Sequence, residues 1–129
     1  MTIRLFEKPR DVPIFRPSSS DSLSKIFGVS TCLSDLTYVR VAKLDKEILG
    51  GYQMRREADT EFVIDRVRVT PIAQGQGLGG WLLGHALGLA EAKGGRRVSI
   101  TDDLNVEFYL KHRFAINDKG HLRLELTPE

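Results

Sequence analysis

Apolar positions change rhythm several times along this chain, and each change marks an element. From Leu36 to Leu44 (LTYVRVAKL) apolar and polar residues alternate, the period of a half-buried strand. The polar LDKE turn leads into EILGGYQMRR, so an antiparallel hairpin is expected. After the polar EADT, the run EFVIDRVRV (61–69) reads as a third strand, ended by Pro71. Strict alternation places Glu61, Val63, Asp65, Val67 and Val69 on one face, and Phe62, Ile64, Arg66 and Arg68 on the other. The period then becomes helical: Leu78, Leu82, Ala86 and Leu89/Ala90 share a stripe from Leu78 to Lys93, which Gly94-Gly95 stops. Gly80, Gly84 and Gly88 form a second, bare stripe, expected to let this helix sit close on the sheet.

The flanks are less regular. Residues 2–6 (TIRLF) suit a short strand, and Pro9, Pro13, Pro17 and serines 18–20 suit a loop. Ser20 or Asp21 is placed to cap a short helix through Phe27, ended by Gly28. Downstream, RRVSIT (96–101) reads as a strand and Asp102 to Lys111 as a helix. Phe114 to Leu126 follows as a terminal strand, or a hairpin turning at Asp118-Lys119-Gly120. No repeat is visible. The order predicts an α+β (mixed α/β) fold around one sheet, a single domain over 1–129. Residues 1–35 would be its short N-terminal region and 36–129 its core.

Composition narrows the classes of function. A hydrophobic share of 41% and a charged share of 28% are ordinary for a soluble domain. The net charge of +2, with no Lys/Arg run longer than two, gives no footprint for nucleic acid. No stretch approaches a membrane span, and Glu7, Lys8, Arg10 and Asp11 interrupt any secretory signal. Cys32 stands alone, so no intrachain disulfide forms, and a cytoplasmic location is expected, as a monomer or homodimer.

The most informative block is PIAQGQGLGG (71–80), four glycines in six positions. In one frame, Gly75-x-Gly77-x-x-Gly80 fits the dinucleotide fingerprint, with Asp102-Asp103 after the next strand as a ribose ligand. Two facts oppose it. Five residues separate Val69 from Gly75, and the 26 residues after Asp103 are too few for further βα units. In the other frame, bare N–H groups from Gln74 to Gly79 open the Leu78 helix and make a cradle for a pyrophosphate. Gln74 adds a side-chain amide donor.

In this second frame, VRVTPIAQGQGLGGWLL resembles motif A of the GCN5-related N-acetyltransferase superfamily, whose Q/R-x-x-G-x-G/A signature binds the pyrophosphate of acetyl-CoA. The signature falls on Gln74, Gly77 and Gly79, after a strand ending in Val67-x-Val69. The segment DDLNVEFYLKHRF looks like the family's downstream Tyr segment, with Tyr109 and Phe114 five residues apart. The resemblance covers roughly residues 36–116. Two positions depart from it: Asp102 stands where the family usually has Asn, and Arg113 where it usually has Gly.

The resemblance implies a twisted mixed sheet flanked by helices and splayed between strands 61–69 and 96–101 to admit acetyl-CoA. It implies donor contacts from Val67, Arg68 and Val69, from Gln74, Gly75, Gln76, Gly77, Leu78, Gly79 and Gly80, and from the Asp102 position. A backbone N–H near Val67 to Val69 would face the thioester oxygen, and Tyr109 would protonate the leaving thiolate. The acceptor would be a primary amine of a small molecule or protein.

An amine of pKa ~10.4 needs a base or a water relay at neutral pH. Asp65 is the leading carboxylate, with Glu61 further out on the same predicted face and water as the alternative. His85, one turn after Trp81, suits an aromatic contact, and His112 and His121 have no second ligand at metal spacing. Arg96 and Arg97 are candidates for the donor's 3′-phosphate, but an exposed strand start is the favoured account of them. The competing reading is a non-catalytic acetyl-CoA sensor that binds a partner protein, since IDRVRV resembles a stretch of one small regulatory member of the superfamily.

Overall fold

A computed structural model describes residues 6–18, 23–28, 36–102 and 105–126. The expected strand at 2–6, the caps Ser20 and Asp21, Cys32 and Asp103 lie wholly or mostly outside them.

Seven strands form one sheet: β1 (Ile14–Phe15), β2 (Tyr38–Leu44), β3 (Glu47–Ala58), β4 (Glu61–Val69), β5 (Arg97–Ile100), β6 (Ala115–Ile116) and β7 (Leu122–Glu125). Their spatial order is β1-β2-β3-β4-β5-β7-β6. Every neighbouring pair is antiparallel except β4 and β5, which α2 (Leu78–Ala92) connects as a crossover. The β2–β3 hairpin turns at Asp45 and Lys46, both at positive φ (51° and 73°), as a tight hairpin of this hand requires. The short β1 is a strand where the proline spacing gave only a loop. Ile14 and Phe15 pair with Ala42 and Val41, and Pro13 accepts from the Lys43 amide, because prolines on either side leave an edge segment free to pair.

Two helices press on opposite faces of β3. A Cβ at Gly50 would lie 3.0 Å from Leu82 Cδ1 of α2, and one at Gly51 would lie 3.1 Å from Phe27 Cζ of α1 (Leu23–Phe27). The bare surface that admits α2 therefore belongs to the sheet. The stripe of Gly80, Gly84 and Gly88 does not serve that purpose. At 100° per residue it lies about 200° from the Leu82 stripe, so Gly84 and Gly88 face solvent with nothing within 4 Å. Nothing in the structure explains the choice of glycine at those two positions. Leu78, Leu82, Leu83, Ala86 and Ala90 form the buried face, against Tyr52, Met54, Phe62, Ile64 and Val98.

One irregularity organises the rest. Gln53 of β3 faces Arg66 of β4, but the next residue, Met54, faces Ile64, so Asp65 is an extra residue. Such a bulge bends its strand and shifts the phase of the side chains beyond it. Phe62 and Ile64 therefore share α2's face with Val67 and Val69. Val69 is opposite Gly50, Val67 is opposite Tyr52, which bonds to α2, and Phe62 abuts Gly95 behind α2. The strict alternation read from the sequence fails at Asp65, which does not share a face with Val67 and Val69. β4 pairs with β5 only from Glu61 to Ile64, and the Thr101 amide makes the last bond to Ile64. Beyond the bulge the two strands part.

Candidate functional site

The splay leaves one edge of β4 open. The Thr70 amide donates to Leu49 (2.8 Å), which fixes the phase of the antiparallel ladder. By its alternation, Val67 and Val69 turn both N–H and C=O away from β3, toward the gap. Side chains cap most of these groups. The Val67 carbonyl accepts from Arg68 Nη1 (3.0 Å), the Val69 carbonyl accepts from Gln74 Nε2 (3.0 Å), and the Val67 backbone lies against the Tyr109 hydroxyl. Among the described residues, no side chain reaches the Val69 N–H.

Beyond β4, a 3₁₀ turn at Pro71–Ala73 leads to Gly75 and Gly77, both at positive φ (78° and 86°). Only glycine adopts this backbone without strain. Gly77 also lies under Pro9, where a Cβ would meet its ring at 3.0 Å. The first bond inside α2 runs from the Trp81 amide to Gly77 (3.1 Å), so the amides of Leu78, Gly79 and Gly80 have no helical partner. They carry the positive end of a helix of 15 residues.

These elements enclose a cleft of about 510 Å³. Val67, Arg68 and Val69 form one wall, and Gln74, Gly75, Gly77, Leu78, Gly79 and Gly80 form its floor. Gln76 stands outside the lining and donates to the Ile72 carbonyl (3.3 Å). The opposite wall was not anticipated. It comes from Asn105, Phe108 and His112 on α3 (Val106–Lys111) and its flanks. Their spacing of three and four places them on one helical face, a signal present in the sequence. Gly79 leaves room for Phe108, whose ring would be 3.2 Å from a Cβ there.

α3 begins at Val106 rather than at Asp102, because Asp102 is held elsewhere. Its carboxylate is buried and accepts from Arg68 Nη1 (2.6 Å) and Nη2 (3.2 Å), and from the Tyr109 hydroxyl (2.9 Å). Asp102 is thus behind Arg68 and off the wall of the glycine cleft; it lines a second hollow of about 400 Å³, with Thr101 and Val106. Tyr109 is fully buried and packs edge-on against Phe108 and Phe114. Burial raises its pKa well above the usual phenol value, and the Asp102 carboxylate adds to the rise. Arg68 and the Val67 backbone offset part of it.

Asp65 lies away from the cleft. Its carboxylate accepts from Thr101 Oγ1 (2.7 Å) and Arg55 Nε (3.1 Å), and Arg55 also pairs with Glu57. Glu61 pairs with Arg97, which also binds Glu125. His85 meets Tyr52 rather than Trp81: its Nδ1 is 2.8 Å from the Tyr52 hydroxyl, while the Trp81 indole donates to Val12. Burial lowers the His85 pKa, and the buried Arg40 nearby lowers it further. Among the described residues, no three His, Cys, Asp or Glu side chains converge to hold a metal, and no helix is long and apolar enough to cross a membrane.

The fold has counterparts in known proteins. The Acetyltransferase (GNAT) family matches residues 6–114. The chain belongs to this family. Solved GNAT-type structures share the fold at low identity. N-acetylglutamate synthase from Neisseria gonorrhoeae, complexed with coenzyme A and N-acetyl-glutamate, superposes with a TM-score of 0.82 at 17% identity over 91% of this chain. The chain spans only 35% of that enzyme's length. A GNAT family acetyltransferase from Elizabethkingia anophelis with acetyl-CoA bound gives 0.74 at 21% identity, covering 89% of this chain and 98% of that one. One from Brucella melitensis in complex with acetyl-CoA gives 0.59 at 24%, covering 70% and 59%. No curated protein shows a significant match. Neither family nor neighbours lend support to the sensor reading.

Proposed function

We propose that this GNAT protein transfers an acetyl group from acetyl-CoA to a primary amine. The observation that carries the reading is the open Val69 N–H on a splayed strand that runs into the glycine cradle. The cradle offers the three unpaired amides of α2 to the pyrophosphate of the donor, where the helix dipole favours negative charge. The pantetheine arm then lies along β4 as a short extra strand. To admit it, Arg68 and Gln74 release the carbonyls of Val67 and Val69 that they now cap. A β4 N–H faces a carbonyl oxygen of the donor; against the thioester, one such donor stabilises the charge that develops as the amine attacks.

The transfer forms a bond from nitrogen to the acetyl carbon and breaks the bond from that carbon to sulfur. The amine loses a proton to water, and the leaving thiolate takes one from water. Tyr109 lies outside the cleft lining but against the Val67 backbone at the splay, and is assigned to the sulfur: its O–H would turn from Asp102 toward the gap, while Arg68 retains the carboxylate. Its raised pKa keeps the phenol protonated at neutral pH and makes full transfer to a thiolate of pKa ~8.5 uphill, so it acts chiefly by hydrogen bonding. Asp65 lies outside the cleft, held by Arg55 and Thr101, so proton removal from the amine is assigned to water.

The test is release of CoA thiol from acetyl-CoA across a panel of amines, beside thermal shifts with acetyl-CoA and with NADH. Turnover with at least one amine and a shift with acetyl-CoA are expected. A shift with NADH alone overturns the reading. Tyr109→Phe should lower kcat by about 10²-fold and leave donor affinity within twofold; an unchanged kcat removes Tyr109 from the chemistry.

A further inference from the structure

His112 has no second ligand at metal spacing in the sequence, and the structure sets it against the cradle. Its Nδ1 is 2.7 Å from the Phe108 carbonyl oxygen. A carbonyl only accepts, so Nδ1 carries the proton and, in the neutral ring, Nε2 presents a lone pair. The ring leans on Phe108 with centroids 4.6 Å apart, which fixes its direction. Nε2 hangs over Gly80, the third residue of α2: a Cβ there would come within 2.9 Å of it and push the ring aside. Nε2 thus stands beside the unpaired amides of the first turn, on the wall of the cleft.

We propose that His112 is a ligand of the donor's diphosphate and that it takes up a proton as the donor binds. The inference rests on the acetyl-CoA reading. A bare Nε2 lone pair repels a phosphate oxygen seated on the α2 amides, whereas a protonated Nε2 donates to it. Nδ1–H keeps its bond to Phe108 in both states, so the ring need not move. A diphosphate seated on those amides, beside Nε2, favours the charged imidazole. Nothing else in the cradle can supply the switch, since residues 71–84 contain no titratable side chain. From the other elements around the cleft, β4 contributes Arg68, α3 and its end contribute Glu107, Lys111 and Arg113, and the segment packed on Gly77 contributes Lys8, Arg10 and Asp11. Histidine alone among these changes charge between pH 5 and 8.

The consequence is a donor affinity that weakens as pH rises, by up to about tenfold per pH unit while one proton is coupled. Titration calorimetry of the full chain from pH 6 to 8.5, in two buffers of different ionisation heat, reads both affinity and proton uptake. His112→Asn retains a donor for the Phe108 carbonyl and lacks Nε2. With acetyl-CoA, the wild type should take up more protons than this variant and lose more affinity over the range. 3′-Dephospho-acetyl-CoA, which lacks the titrating monoester, should preserve that difference. Equal proton uptake by the two proteins overturns the proposal. A difference that vanishes with the dephospho donor overturns the diphosphate assignment in favour of the 3′-phosphate. A wild type that binds neither donor at any pH sinks the acetyl-CoA reading itself, an outcome distinct from an unaltered pH slope.

Discussion

The two halves of β4 are built from the same alternation of letters and behave as different objects. From Glu61 to Ile64 the strand is bonded on both sides, to β3 and to β5, and Phe62, Val63 and Ile64 are buried. From Asp65 to Val69 it is bonded to β3 only, and its free edge is dressed by Arg68, Gln74 and Tyr109. One extra residue, Asp65, separates the halves. A strand edge inside a sheet is ordinarily a hazard or a waste of hydrogen bonds. Here the bulge exposes it within a cleft, where side chains cover it and a ligand can replace them.

The largest effect should come from breaking the zipped half. Phe62 is fully buried between Tyr38, Gly95 and the core, so Phe62→Ala should cost about 3–5 kcal/mol in urea unfolding. Donor affinity of the folded fraction should change little. A loss of affinity as large as the loss of stability would show that the halves are not separable.

This division was partly legible in the sequence. The strands of the hairpin, β4 and α2 follow from their periods and from the turn residues that bound them. The glycine cradle was legible because few roles other than close backbone approach require Gly75 and Gly77 at positive φ. The bulge was not, because Asp65 and Arg66 are both polar and the phase change looks like continued alternation. Nor was the capture of Asp102: its partners Arg68 and Tyr109 are 34 and 7 residues away, and an ion pair across a gap leaves no periodic trace. The opposite wall was readable in principle from Asn105, Phe108 and His112, but a face that stays partly wet lacks the apolar stripe that draws attention.

The next effect tests the splayed half. Arg68 neutralises a carboxylate with 1% of its side chain exposed, whereas Arg68 itself is 23% exposed. Removing the cation strands a buried charge; removing the anion frees a cation that reaches water. Arg68→Met should therefore cost about 3 kcal/mol and Asp102→Asn about 1 kcal/mol. The double variant should be more stable than Arg68→Met alone, because no buried charge is left unpaired. Three urea titrations decide this, and a strictly additive result would show that the pair is solvated. In the zipped half, the corresponding cycle on Glu61 and Arg97, both half-exposed, should give a coupling below about 1 kcal/mol.

The smallest effect concerns the end of α3, which closes the splayed half. The family usually has glycine where this chain has Arg113, and the backbone explains the preference. Arg113 has φ of 74°, left-handed, and the Phe114 amide bonds back to Tyr109 (3.2 Å) across the helix end. A side chain there costs about 1 kcal/mol relative to glycine, partly offset because glycine gives the unfolded chain more freedom. Arg113→Gly should raise stability by about 0.5–1 kcal/mol, seen as a higher urea midpoint at constant slope. The substitution leaves the zipped half untouched, and the Arg113 side chain is exposed and outside the cleft lining, so donor affinity should hold within about twofold. A destabilised variant would mean that the guanidinium makes an interaction outweighing the strain, and that α3 is fastened to the splay by more than Tyr109 and its aromatic neighbours.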